Sequence, residues 1–592
     1  MAGRDGFGTI LDRRKAGTGT ATETSDHGTK SQFLKKAEQG KVPSYPGDFE
    51  LQKLTLTSPN RRGFVNLKAA WSDFNIYEDL FGSYLSGNIR IQDGVGLLES
   101  VPIIGEETIH IQVKTKGLAR ERNQQTQPGP FEGSQNEGLI NLKFRVVKIS
   151  NIIKQNDQLQ SYQLSFVSEE AILNLKQKVR KSALDPTSLE PRKISDVVSS
   201  LYRQFFKKGR IAKKIFIEPT KNLTNLIIPN QAPFKAFNFL ASRAVSAGKH
   251  AVGSSFVFYE SIRGFFFISM ETLMAGGGTG YSTEPESANS PNELVYTAPE
   301  DPVKETYVIQ PKRLGAQKDD AKNVAVEMTA VDSYSFSSNF DVLQNLSKGM
   351  YSNRLLTHDL VRMKYDTLDF NLLEPVGEQT LINEATGGTE ITEFLTLAAD
   401  AKNFTDSFTH LGKGKLATEK QDALGSPESV ISFYPTNFAH DVRFKEDIGS
   451  QGVRGQVKSN LNIIPSRVEQ WMQSRLVQGQ QATNIKLNIR APGLSTRAVG
   501  DLIEFKLPTQ YIEDRDGKTQ SQHHAYLSGY YLITKLRHHF TKEKYEIEFE
   551  AIKDSLKVPP GSDRSTPEAD ETSNVNRPPA TVNPETGRTG PR

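Results

Sequence analysis

The sequence predicts a β-rich α+β protein of several domains, built around two copies of one antiparallel barrel. Three observations carry this. Apolar and polar residues alternate with period two in many short segments, as half-buried strands require. Two distant stretches, Val146–Leu173 and Tyr531–Leu556, share one design: an apolar strand, a charged turn, then Tyr-x-apolar-x-Phe and a polar exit. Tyr162, Leu164 and Phe166 thereby correspond to Tyr545, Ile547 and Phe549. Long polar stretches rich in Gly, Ser, Thr and Pro divide the 592 residues, a length with room for several cores.

Taken in order, residues 1–47 lack the apolar content to bury a core and read as an extended N-terminal arm. Residues 48–184 form the first barrel. In "YLSGNIRIQDGVGLLESVPIIGEETIHI", Leu85, Ile89 and Ile91 lie on one side of a strand with Gly87 between them, and Ser86, Asn88, Arg90 and Gln92 lie on the other. Asp93 stands at an N-cap position ahead of a short apolar turn with Val95, Leu97 and Leu98. A second strand turns Ile109, Ile111 and Val113 inward. The glycines of this segment lack the Lys-Ser/Thr pair of a phosphate loop, so it reads as strand, half-turn, strand of a barrel.

Residues 185–325 form an α+β domain with a linker over 275–302. "KISDVVSSLYRQFF" and "APFKAFNFLASRA" are amphipathic helices, the second with Pro233 in its first turn and Phe237, Leu240, Ala241 and Ala244 on one face. "SSFVFYESIRGFFFISM" is a hairpin turning near Arg263-Gly264. The second barrel takes residues 326–372 and 480–557, with 373–479 as an insertion domain. A helix at "SRVEQWMQSRL" is expected to bury Val468, Trp471, Met472 and Leu476. Residues 558–592 form a Pro-rich C-terminal arm.

A formal charge of +4 implies no strong overall field for nucleic acid. No apolar run reaches the ~18 residues of a membrane helix, and "MAGRDGFGTILDRRK" has no signal-peptide core, so a protein made in the cytoplasm without membrane insertion is expected. The absence of cysteine excludes disulfides, thiolate metal sites and cysteine nucleophiles. His523, His524, His538 and His539 are the best metal candidates, but strand alternation sends His538 and His539 to opposite faces, and a wet strand end is the expectation. The doublets Glu106-Glu107 and Glu169-Glu170 resemble a glycosidase pair only in composition, and ordinary solvated or helix-end charges are expected. Phe256, Phe258, Phe265 and Phe267 are read as core, not base-stacking aromatics, for they alternate without interleaved basic residues. "MAGGGTG" is a loop, and the basic residues Arg13, Arg14, Lys15, Lys35 and Lys36 belong to a solvated or protein-bound arm. No catalytic, cofactor-binding or metal residue is assigned.

Four stretches in this order, "SGNIRIQDGVGLLESVPIIGEETIHI", "SSFVFYESIRGFFFISMETL", "LQNLSKGMYSNRLLTHDLVRMKY" and "SGYYLITKLRHHFTKEKYEIEFEAIKDSL", resemble the baseplate central hub of contractile-tailed bacteriophages, the protein that carries the spike. The resemblance spans roughly residues 50–556, and the arms and the linker near Glu284–Glu300 have no counterpart in it. It implies two tube-like barrels related by duplication, smaller accompanying domains and a homotrimer. It also implies a virion protein of the tail baseplate, assembled in the host bacterial cytoplasm. The implied partners are a spike on one side and tail tube or tube-initiator proteins on the other, with wedge proteins at the arms and DNA and tape measure passing through the channel. Three alternatives stay open: the equivalent hub of a type VI secretion or extracellular contractile system, a tail-associated cell-wall hydrolase, and a DNA-binding tail component.

Overall fold

The computed structural model describes residues 45–59, 63–100, 103–115, 139–154, 159–182, 191–206, 213–221, 226–247, 254–274, 327–338, 341–359, 363–371, 427–435, 471–482, 484–508 and 527–553, with shorter fragments between them. Residues 1–44 of the N-terminal arm, all of the C-terminal arm but the paired two-residue strands Thr581–Val582 and Thr589–Gly590, His523 and the Gly-rich run after Met274 lie outside the described residues. As expected from the alternation, the architecture is β-rich with several sheets, the largest of thirteen strands among the described residues.

Six strands, with the two-residue strand Val65–Asn66 paired to the first of them, make the first half of that sheet: β1 (Phe49–Thr57), β2 (Trp71–Asp79), β3 (Ser86–Asp93), β4 (Thr108–Thr115), β5 (Leu139–Lys154) and β6 (Gln160–Ser168). They lie side by side in the order β2-β3-β6-β5-β4-β1, every neighbour antiparallel. Leu85, Ile89 and Ile91 are fully buried, as are Ile109, Ile111 and Val113, which is the inward set that alternation predicts. Asp93 caps the short helix α1 (Leu97–Ser100), accepting from the Val95, Leu97 and Leu98 amides at 3.0, 2.6 and 3.3 Å. Consecutive β3 and β4 are nonetheless not paired: β3 lies between β2 and β6, and β4 between β1 and β5. Gly87 has a packing cause, since a Cβ there would lie 2.4 Å from the Phe166 ring and 2.3 Å from the Asn75 carbonyl.

Helix α2 (Glu169–Lys176) follows β6 and leads into an accessory domain. There α3 (Ile194–Phe206) and, after strand β7 (Ile215–Ile217), α4 (Pro233–Ala241) pack on a sheet with β8 (Phe256–Ser261), β9 (Gly264–Ser269) and β10 (Glu293–Val295). Pro233 occupies the first turn of α4, where its missing N–H costs nothing. Gly264 makes the β8–β9 turn at φ +137°, where a Cβ would press on the Lys214 carbonyl at 2.5 Å. Phe256, Phe258, Phe265 and Phe267 are buried, with Phe258 stacked on Phe265 at 5.6 Å, so they are core aromatics as read.

Glu218 is buried beside this sheet and meets only neutral donors: Ser246 Oγ, Ser269 N at 2.7 Å, Ser269 Oγ at 3.3 Å and Thr272 Oγ1 at 2.9 Å. Burial raises its carboxyl above the usual range and the hydrogen bonds oppose that only in part. The folded chain therefore holds the proton more tightly than the unfolded one, and stability falls as pH rises from the ordinary carboxylate value through the raised one. Glu218→Gln is expected to flatten that part of a melting-temperature profile against pH; an unchanged slope contradicts it.

The second half of the large sheet comprises β11 (Glu305–Val308), β12 (Ser333–Ser338) and, further on, β16 (Ile485–Pro492), β17 (Leu502–Lys506), β18 (Gly529–Thr541) and β19 (Tyr545–Lys553). Between them, β13 (Ser352–Asp359), β14 (Lys364–Asn371) and β15 (Ile431–Pro435) form a separate three-stranded sheet. Helix α5 (Met472–Ala482) buries Val477; of the expected stripe, Val468 ahead of the helix is buried and Leu476 packs against the common core, while Trp471 and Met472 are half-buried.

The second half repeats the first. Its order is β12-β16-β19-β18-β17-β11, and in chain order each strand takes the place of its counterpart among β1 to β6. One pairing differs: β11 runs parallel to β17, where β1 runs antiparallel to β4. The Tyr-x-apolar-x-Phe strands β6 and β19 occupy equivalent positions, so the internal repeat of the sequence is a repeat of topology. The halves join edge to edge through β2 and β18, antiparallel from Lys535↔Asp79 to Thr541↔Asp73. They touch again at the far side, where Phe49 of β1 meets Phe540 at 5.4 Å and Thr115 and Ser495 exchange two hydrogen bonds of 2.9 and 3.0 Å. The first half thus curls around its core, and one apolar cluster runs through both halves.

Candidate functional site: the junction of the two sheet halves

At the β2–β18 junction the strands alternate between two very different faces. Phe74, Ile76 and Glu78 of β2 point inward with Leu536, His538 and Phe540 of β18, and all six are buried. Phe74 stacks on Phe540 at 4.5 Å and Phe540 on Tyr545 at 4.1 Å. Inside this apolar layer, His538 Nε2 hydrogen-bonds Glu78 Oε1 at 2.7 Å and His538 Nδ1 hydrogen-bonds the Tyr545 hydroxyl at 2.6 Å. Burial, and next the Glu78 charge, push the Tyr545 phenol well above its ordinary range, so it stays neutral here. The second Glu78 oxygen accepts from the Ile262 and Val499 amides, both at 3.3 Å. A buried carboxylate is tolerable only with such partners.

The tip of the β8–β9 hairpin supplies one of them and clamps both halves. Arg263 forms a two-pronged pair with Asp501 at 2.5 and 2.8 Å and donates to the Thr496 carbonyl at 2.6 Å. Arg497 joins at 3.3 Å, its guanidinium lowered to about 10 by burial against the pull of Asp501. On the first half, Glu260 accepts from the Leu85 amide at 2.9 Å while Lys213 bridges Glu260 and Glu170. Burial raises the Glu260 carboxyl, opposed by Lys213.

The outward face carries a ladder of neutralised charge. Arg537 donates to Asn75 at 2.9 Å and Glu548 at 2.8 Å, Asn75 donates to Asn88 at 2.8 Å, and Asn88 donates to the Tyr77 hydroxyl at 3.2 Å. Arg490 pairs with Glu546 at 2.6 Å, Lys535 with Glu550 at 3.5 Å, Arg90 with Asp73 at 3.6 Å, and Lys544 with Glu546. Burial, then the Arg537 charge, holds His539 below the ordinary imidazole range, so near neutral pH it adds no charge. Five cations and four carboxylates in this group leave a polar, almost neutral wall across both halves. A hollow of about 850 Å³ opens on it, lined among others by Tyr77, Tyr84, Tyr334, Arg490 and Arg537.

The histidines fall on opposite faces, as strand parity requires, but the wet strand end is not what His538 occupies: it is fully buried against Glu78 and Tyr545. Binary patterning does not price a polar pair on the apolar register, yet the signal was there, because Glu78 follows Phe74 and Ile76 at spacing two. His524 accepts from the Leu527 amide at 3.2 Å. No group of three or more histidine or carboxylate side chains with metal-ligand spacing occurs among the described residues. The glutamate doublets do structural tasks: Glu107 is buried, accepting from the Ile104 and Gly105 amides at 3.0 and 2.9 Å, while Glu169 and Glu170 pair with Arg145 and Lys213.

No family model and no curated protein matches the chain. Among solved structures it is similar to a tail protein from Neisseria meningitidis MC58, with TM-score 0.38, 8% identity and coverage of 86% of this chain and 97% of that one. A 43 kDa tail protein of prophage MuSo2 from Shewanella oneidensis gives TM-score 0.36, 7% identity and coverage of 85% and 99%. The E. coli c3393 protein, a type VI secretion component described as similar to T4 bacteriophage tail proteins gp27 and gp5, gives TM-score 0.31, 8% identity and coverage of 86% and 78%. The alignments are long and the superpositions loose, so these likenesses carry no function to this chain.

Proposed function

We propose that the chain is the structural, non-enzymatic hub of a contractile-tail baseplate, acting as a trimer that fits a sixfold tail tube to a threefold spike. The observation that carries this is the repeat: one chain holds the same six-strand unit twice, in the same order, joined edge to edge. Three such chains present six units of like strand order, so a ring of them offers approximate sixfold symmetry to one neighbour and threefold to the other without any chemistry. The near-neutral wall suits an axial passage, since a polyanion such as DNA is retained by uncompensated cations and released from a surface whose charges are already paired. DNA and tape measure pass through it, a spike binds one side, tube or tube-initiator proteins the other, and the arms reach wedge proteins. The site of action is the tail baseplate of the virion, after assembly in the host cytoplasm.

The equivalent hub of a type VI or extracellular contractile system has the same physical logic, and the identity of the spike that binds separates them. The mass of the purified chain, alone and with a candidate spike, tests the reading: three copies per spike trimer are expected. A persistent monomer that ignores the spike overturns it, as does turnover of peptidoglycan that is lost on Glu106→Gln or Glu169→Gln.

A further inference from the structure

Beyond the reversed direction of β11, the two halves differ in how their edges are covered. In the second half, β18 is covered along its whole outer edge: Leu502–Phe505 of β17 pair with Gly529–Leu532, and β2 pairs with Lys535–Thr541. Its counterpart β5 is covered by β4 only over Leu139–Arg145, and no described strand pairs with the continuation of that edge to Lys154. Apolar side chains stand along this stretch, with Val147, Ile152 and Ile153 exposed to 44, 59 and 57%. On the other side, β12 is the counterpart of β2, and its edge away from β16 is likewise unpaired among the described residues, with Tyr334 exposed to 43%. Such edges invite another strand.

We propose that β12 of one copy of this chain pairs antiparallel with the Val146–Lys154 edge of β5 in a second copy, as β2 pairs with β18 inside each chain. The inference deepens the hub reading and rests on it for the number of copies. The register follows from the pairings. Ile547 faces His538 and its counterpart Leu164 faces Ile149, so Ile149 stands for His538. Phe549 leads through Ile489 to Tyr334, and Phe166 leads through Gly87 to Ile76, so Tyr334 stands for Ile76. His538 faces Ile76 within the chain. Ile149 of one copy therefore faces Tyr334 of the next, and because Val147 sits in a bulge, Val146, the counterpart of Leu536, is the residue that falls beside Phe336.

Chemistry agrees with this register. Where the internal junction buries a histidine and a glutamate with their partners, the edge between copies would bring four apolar side chains together, two of them rings. Tyr334 and Phe336 already meet Phe505 at 5.8 and 6.4 Å, and Ile149 and Phe336 already pack on the common core, so the added strand extends an existing layer. Each copy offers one edge of each kind, which is a head-to-tail contact of the sort from which rings are built.

The chain has no cysteine, so a designed pair reads cleanly. Facing residues of an antiparallel pair have Cα atoms about 4.5–5.5 Å apart, within disulfide reach. Full-length chain carrying Ile149→Cys and Tyr334→Cys is expected to give reductant-sensitive covalent oligomers on mild oxidation, with either single substitution giving none. Lys148→Cys with Tyr334→Cys, on opposite faces, is expected to give at least tenfold less. Separately, Tyr334→Asp is expected to shift the native mass to monomer with an unchanged melting temperature. An oligomer of wild-type mass in which the 149–334 pair fails to cross-link overturns the strand pairing and leaves the hub reading standing. A wild-type chain that stays monomeric at every concentration overturns both.

Discussion

Asp501→Ala is expected to destabilise the chain by ~3–5 kcal/mol, the cost of leaving buried charges without their counter-ion. Arg263 and Arg497 both lean on this carboxylate, which is 1% exposed, and the Ala498 amide donates to it at 3.0 Å. The hairpin tip that carries Arg263 also reaches Glu78 through the Ile262 amide and Leu85 through Glu260, so the loss loosens the seam between the two halves as well as one ion pair. A urea titration followed by near-ultraviolet circular dichroism reads the effect as a lower midpoint. Adding Arg263→Met to Asp501→Ala is expected to recover part of it, because the penalty lies in the uncompensated charge. A midpoint within error of wild type contradicts the clamp.

The second large effect is expected from Phe265→Ala, at ~3–5 kcal/mol for truncating a fully buried ring. Phe265 lies among Phe258 at 5.6 Å, Tyr202 at 5.8 Å, Phe234 at 6.0 Å and Phe206 at 6.4 Å, rings drawn from α3, α4 and the hairpin. No single neighbour can move to fill the space, so the cavity cost adds to the transfer cost. Phe64→Ala, at a ring 68% exposed, is the matched comparison and should change stability by less than ~0.5 kcal/mol. Equal effects at the two positions would refute the account of the aromatic core.

Much of the fold was legible because it is local. The inward set Ile89, Ile91, Ile109, Ile111 and Val113, the Asp93 cap, Pro233 at its helix start and the turn at Gly264 each depend on a few adjacent residues. The site was less so. His538 could be placed on the face opposite His539, but nothing near it in sequence indicates that Glu78, 460 positions away, meets its ring. The half-burial of Trp471 and Met472 and the full burial of Val477 were not legible for a similar reason: what is buried depends on which neighbour arrives, and Arg475 of that helix donates to the Ala241 and Ser254 carbonyls of the accessory domain.

By itself the sequence determined the β-rich character, the recurrence of Tyr-x-apolar-x-Phe and the parity of β3, β4 and the His538–His539 pair, since side-chain alternation is a property of single extended segments. Only the tertiary structure decided that β3 and β4 part company to lie beside β6 and β5, that the halves fuse through β2 and β18, and that no described strand covers the free edges of β5 and β12. Those outcomes come from hydrogen bonds between segments up to hundreds of residues apart, and a backbone N–H or C=O carries no side-chain signal of which strand will satisfy it.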